Sequence, residues 1–205
     1  RLDRAIEYLP DDEALAQRLA QGKGLTRPEM AVLLAYSKMA LYDALLPSDL
    51  PDDTLLEADL VGYFPKQLGE KFRPEIGRHR LRREIIATVV TNAMINRVGS
   101  SFVSQLIGDT GRTAPDVARA YLVARQVLHL DRRWDAVEAL DGKTPAAAQY
   151  ALFAEIGRAA ERATRWVLSA VQPPLVLADN VQRFGAAARA VGDGASGPID
   201  WRGEI

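Results

Sequence analysis

Apolar residues along this chain recur at intervals of three and four, the period of a helix with one face turned inward. No stretch alternates as a half-buried strand does, and the most strand-like window, Ile85-Ile86-Ala87-Thr88-Val89-Val90, lies inside a longer helical pattern. That pattern runs over about 79–98, with Leu81, Ile85, Ile86, Val89, Val90, Ala93 and Met94 on one stripe and Gly99 at the C′ position. Over about 27–46 the apolar set covers nearly the whole circumference, which predicts a central, buried helix. A long helix over about 145–170 places Tyr150, Phe153, Ile156, Ala160, Ala163 and Val167 on one side. Its other side carries Arg158, Glu161 and Arg165 at pairing distance along the helix.

Helix starts are marked by chemistry as well as period. Thr26-Arg27-Pro28-Glu29 offers a hydroxyl N-cap, a proline in the first turn and a glutamate that reaches back. Thr113-Ala114-Pro115-Asp116 repeats the device, and Thr144-Pro145 is a shorter version. Further helices are expected near 1–8, 12–22, 53–61, 66–72, 101–108, 114–129, 131–140 and 175–191. The 32 alanines, and the scarcity of β-branched runs, agree with this. The caps do not recur at a fixed period, so no solenoid is expected. The reading is an all-α domain of about eight to ten helices without a sheet. Residues 1–191 form a single domain, and 192–205 a flexible glycine-rich tail.

Composition narrows the chemistry. With 48% apolar and 26% charged residues in 205, the chain has the make-up of a soluble globular protein long enough to fold without staples. It has no cysteine, which excludes disulfides, thiolate metal sites and cysteine nucleophiles. His79 and His129 are its two histidines, too few for an all-histidine zinc site. A net charge of −1 supplies no field that would hold nucleic acid or anionic lipid. No run of 18 apolar residues predicts a membrane span, and no leader is visible, so a cytoplasmic location is expected. The first residue is Arg1 rather than methionine, which reads as a piece of something longer.

Four constellations invite a functional reading. Gly192-Asp193-Gly194-Ala195-Ser196-Gly197 spells a dinucleotide-loop string, but an alanine-rich helix precedes it where a strand is needed, so it reads as tail. The segment Lys66–Arg83 sets seven cations against Glu70 and Glu75, a local net of +5. Arg78, His79, Arg82 and Arg83 within it form a candidate interaction surface for an acidic protein partner; nucleic acid is not expected, because the domain lacks the overall basicity and stacking aromatics. Thr88, Asn92 and Asn96 line one helix face, a polar row that suits hydrogen bonds to a neighbouring helix or, on the sharper reading, a ligand. Asp49, Asp52 and Asp53 read as turn formers and caps, without the regular ladder of a calcium loop. No catalytic, cofactor-binding or metal-ligating residue is assigned.

Several strings, taken in order, resemble one family. They are Leu25–Lys38 (LTRPEMAVLLAYSK), Ser48–Asp53 (SDLPDD), Tyr63-Phe64-Pro65, His79–Thr88 (HRLRREIIAT), Asn92–Gly99, Trp134, Asp141 and Glu161–Trp166 (ERATRW). The series is similar to the C-terminal helical region of the large NAD-dependent glutamate dehydrogenases of bacteria, over about residues 25–170. The resemblance implies a parent oxidoreductase of amino-acid catabolism. That parent converts L-glutamate, NAD and water to 2-oxoglutarate, ammonium and NADH, as a homo-oligomer. It further implies that the NAD-binding half and the catalytic residues lie upstream. This stretch would then be a non-catalytic module that binds no cofactor itself and serves packing, oligomer contacts or regulation, with the upstream catalytic domain as its partner. The alternative is a free-standing helical adaptor that binds an acidic protein or RNA through residues 66–83.

Overall fold

A computed structural model describes residues 2–194. It contains α1 (Asp12–Ala20), α2 (Arg27–Leu45), α3 (Glu57–Gly62), α4 (Lys66–Lys71), α5 (Arg73–Gly77) and α6 (Arg82–Val98). After these come α7 (Phe102–Thr110), α8 (Ala114–Val127), α9 (Leu130–Glu138), α10 (Ala146–Ala170) and α11 (Leu177–Gly194). Two 3-10 turns, Leu50–Asp52 and Thr54–Leu56, join α2 to α3, and no strand occurs among the described residues. The all-α expectation therefore stands, with eleven α-helices among the described residues in place of eight to ten.

Two of the three capping signals act as read; the third does not, since α10 begins at Ala146 with Pro145 at the N-cap and no side-chain capping hydrogen bond. Thr26 and Thr113 each accept from the backbone N–H three residues on, while Glu29 and Asp116 accept from the cap's own N–H. At α2 a second contact reinforces the box, because Arg18 reaches Glu29 at 2.7 Å. That hydrogen bond, with the Thr26 backbone N–H, holds the Glu29 carboxyl at about 2, far below its ordinary 4.5. At the other end of α6, Gly99 adopts φ +98°, a conformation closed to most side chains.

Two expectations need correction, and one helix was not foreseen. Residues 4–8 form turns, not a helix: the segment is too short to nucleate alone, Tyr8 takes φ +53° and Pro10 follows. The helix expected near 66–72 is α4, and a further short helix that the sequence did not predict, α5, follows it with Pro74 in its first turn, where a missing N–H costs nothing. The α11 helix extends through Gly194, three residues into the segment read as tail; residues 195–205 lie outside the described residues.

The centre of the domain is α8, not α2. From Val117 to Arg125 only Arg119 is not buried, and α2, α6, α7, α9, α10 and α11 all pack around this helix. Ala118, Ala120 and Ala124 make that possible, since small side chains let neighbours approach on several sides. In α2, by contrast, only Leu41 and Leu45 are buried. Composition around its circumference overstated its burial because the first half of the helix extends past the core. Around α8, α6 contributes Ile85, Ile86, Val90, Met94 and Ile95, close to the expected stripe, and α10 contributes Ala160, Val167 and Leu168. Burying a leucine or isoleucine of this kind stabilises by about 1.5–3 kcal/mol. Tyr150, expected inward, is 70% exposed, because in the first turns of α10 it is Gln149 that faces α9, where it donates to Val137 O at 3.0 Å.

Two arginines close helix C-termini from a distance. Arg83 Nη2 donates to Leu46 O and Ser48 O, both at 2.8 Å, and so caps α2. Arg112 Nη2 donates to Leu168 O at 3.1 Å and Val171 O at 2.7 Å at the end of α10. Each places a cation at the negative end of a helix and satisfies carbonyls that lack intrahelical partners.

Candidate functional site: a polar cleft, a basic segment and an apolar arm

The polar row on α6 divides. Thr88 donates to Glu84 O at 2.7 Å, a bond within its own helix. Asn92 and Asn96 instead face a cleft of about 500 Å³ between α3, α6, α8 and α9. Asp59, Arg97, Arg125, Asp131 and Trp134 supply the rest of its polar and aromatic lining. Arg125 comes from the most buried helix and is itself 4% exposed. Its Nη2 donates to Asp59 Oδ1 at 2.9 Å and Oδ2 at 2.6 Å, and its Nε lies 3.5 Å from Asp131 Oδ2. Burial works against the Arg125 cation, but Asp59 and Asp131 outweigh it and push its pKa up. Burial also raises Asp131, and it raises the Tyr121 hydroxyl beneath the cleft, which has no hydrogen-bond partner. Arg97 donates to Glu138 Oε1 at 2.7 Å and lies 5.0 Å over the Trp134 ring.

The polar groups that line this cleft are suited to hydrogen bonding. Its guanidiniums are matched by carboxylates, its two carboxamides can donate and accept, and none of its lining residues is a lysine, histidine, serine or threonine. Sequence reading found Asn92 and Asn96 but missed Asp59, Arg97, Arg125 and Trp134 as their companions. One signal existed: Arg125 is a lone charge within the apolar run Ala120–Leu128.

The four candidate interaction residues separate in the same way. Arg83 bonds to Asp52 as well as capping α2, and Arg82 lies 3.8 Å from Asp52. His79 accepts the Leu81 N–H on Nδ1 at 3.1 Å and packs against Phe64. Arg78 remains exposed at the end of α5. The segment that looked like a continuous basic face therefore has two of its arginines engaged with the 48–53 loop. The aspartates of that loop act as expected of caps and pairing partners: Asp53 accepts from Leu55 N–H, and Asp49 pairs with Arg119, which lowers its pKa. Among the described residues, no group of three or more His, Asp or Glu is placed to hold a metal ion, and no helix is long and apolar enough to cross a membrane.

A third surface was not foreseen. Of seventeen large hydrophobic residues exposed on the described surface, seven fall in the first 39 positions: Leu2, Ile6, Tyr8, Leu19, Met30, Leu34 and Met39. The first half of α2 and the segment before it form an arm, held together by the Arg18–Glu29 pair and by Tyr36, whose hydroxyl donates to Glu7 at 2.6 Å. None of the α1 residues is buried.

Comparison with known proteins places these features. Residues 22–200 match the family described as glutamate dehydrogenase, C-terminal. The NAD-specific glutamate dehydrogenase of Pseudomonas aeruginosa is 44% identical over 192 residues, covering 94% of this chain and 12% of that protein. The protein of the same name from Halomonas elongata is 42% identical over 168 residues, 82% of this chain and 10% of its own length. That from Mycobacterium tuberculosis is 33% identical over 190 residues, 93% and 12% respectively. The chain thus spans about a tenth of the length of the curated relatives it matches.

Proposed function

Because the chain belongs to the glutamate dehydrogenase C-terminal family, we propose that it is the non-catalytic helical module of a long NAD-dependent glutamate dehydrogenase. The parent enzyme, in this reading, oxidises L-glutamate with NAD and water to 2-oxoglutarate, ammonium and NADH in the cytoplasm, as a homo-oligomer. The module packs on the catalytic portion that precedes it, or between subunits.

The observation that carries this reading is where the family-like strings fall. Leu25–Lys38 holds the capping box of α2, and Ser48–Asp53 holds its C-terminal closure with Arg83. His79–Thr88 supplies that arginine and the inward residues Ile85 and Ile86, and Asn92–Gly99 forms the Arg97–Trp134 wall and the Gly99 stop. These residues build and close a helical domain.

The described part of the glycine string is not built as a dinucleotide loop; Ala195-Ser196-Gly197 lie outside the described residues. Pyrophosphate is held by free N–H groups at a helix N-terminus, after a strand. Here Gly192 and Gly194 lie in the last turn of α11, the carbonyl end, where the helix dipole repels phosphate. No catalytic step is assigned to this chain.

The test is glutamate-dependent NADH formation, followed by the absorbance of the reduced nicotinamide. The 205-residue chain alone is expected to give none, and the long polypeptide that carries it to give a steady rate. NADH production by the isolated chain would overturn the proposal.

A further inference from the structure

The geometry points to the first half of α2 as the surface that docks on the portion preceding this module in the long polypeptide; this rests on the module reading above. Met30, Leu34, Leu41 and Leu45 follow one another at spacings of four, seven and four, and so form a single stripe along α2. The stripe is 58% and 36% exposed at Met30 and Leu34, but 3% and 0% at Leu41 and Leu45. One helix face thus starts in solvent and ends in the core, where α6 and α8 cover it. The exposed part of the stripe is not marked by charge: residues 30–36 are all uncharged, and Lys38 is the one charged residue between them and Leu41.

The N-terminal segment does not supply the missing cover. It is tied to Glu29 and Tyr36, which lie seven residues apart on another face of α2. The open stripe is therefore a continuation of the core seam without its second wall.

The occupant follows from length and tethering. The relatives continue for nearly nine-tenths of their length outside the matched region, and the family description puts that region C-terminally. The remainder is thus joined to the module on its N-terminal side, where the arm lies. A covalent connection makes docking an intramolecular event, with an effective concentration of the order of mM for a short linker. A few apolar side chains suffice under that condition. A second copy meeting the same patch from solution lacks the tether, and a stable two-chain interface buries roughly 1,200–2,000 Å². The basic segment 66–83 is the weaker candidate, since Arg82 and Arg83 already face Asp52.

Amide hydrogen exchange reads this directly, in the 205-residue chain and in the long polypeptide. Residues 27–38 should exchange at least tenfold more slowly in the long polypeptide. Met30→Asp with Leu34→Asp should return them to the rate of the isolated chain. Both side chains are exposed in that chain, so the variant should keep its urea midpoint there, which confirms that it folds. Slowing at residues 66–83 instead overturns the inference and leaves the module reading in place. No slowing on any surface overturns both. Doubling of the isolated chain's solution mass by light scattering, abolished by the same double substitution, assigns the face to a second copy and also overturns the inference.

Discussion

Arg125 is the only buried charged residue among the described ones, and it decides how the centre of this domain is held. A guanidinium in a dry interior is tolerated only with a partner, and Asp59, 12% exposed in its side chain, gives it both oxygens. Removing one member leaves the other charged and stranded, whereas removing both restores an apolar contact. Arg125→Met is therefore expected to cost about 3–5 kcal/mol, and the double variant Arg125→Met/Asp59→Leu to recover most of that loss. Urea unfolding of the four proteins in the cycle measures it. A double variant as unstable as the single would mean that the arginine acts through packing, not through its charge pair. Neither residue announced this role in the sequence. They stand 66 positions apart, and only the apolar neighbours of Arg125 hinted that its charge needed an answer.

Between helices, a close approach to backbone occurs where α10 crosses α6. A Cβ built on Gly157 would lie 3.2 Å from Arg97 O, tighter than ordinary contact. Two terms then oppose each other at this position. An alanine in a helix gains about 1 kcal/mol over glycine in propensity, but the crossing must open slightly to admit it. Gly157→Ala is therefore expected to stay within about 1 kcal/mol of the parent, and Gly157→Val to lose about 1–3 kcal/mol through overpacking. Thermal unfolding checks both, and an unperturbed valine variant would show that the crossing is loose. The sequence revealed the helices well wherever the signal was local. Thr26 and Thr113 with their prolines and acids fixed the starts of α2 and α8, and Gly99 fixed the end of α6. It was silent where an element is very short: α5, with Pro74 in its first turn, has five residues and too little length to show a period. The arginine closures were beyond reach, since Arg83 and Arg112 meet carbonyls 35 to 59 residues away. Burial of α2 was misjudged because apolar composition records what a face needs, not whether this chain alone provides it.

The domain as a unit divides into a core around α8 and an arm formed by residues 2–24 along the first half of α2. The arm adds little to the core. Its α1 buries no residue, and its links to α2 are the Arg18–Glu29 ion pair and the Tyr36–Glu7 hydrogen bond, both between partly exposed groups. Contacts of that kind are worth roughly 0.2–1 kcal/mol each, because water and salt screen them. Deleting residues 1–24 should thus lower the unfolding free energy by no more than about 2 kcal/mol. The denaturant slope should fall only slightly, since little apolar surface is uncovered on unfolding this segment. The slowest-exchanging amides should remain those of α8, which open only when the whole domain does. The measurement separates two views of the exposed apolar residues in the arm. A loss of several kcal/mol would make them part of the folding core of this chain. A small loss leaves them without an internal purpose, and a protein that keeps Met30 and Leu34 in solvent without needing them for its own stability is keeping a surface for something else to cover.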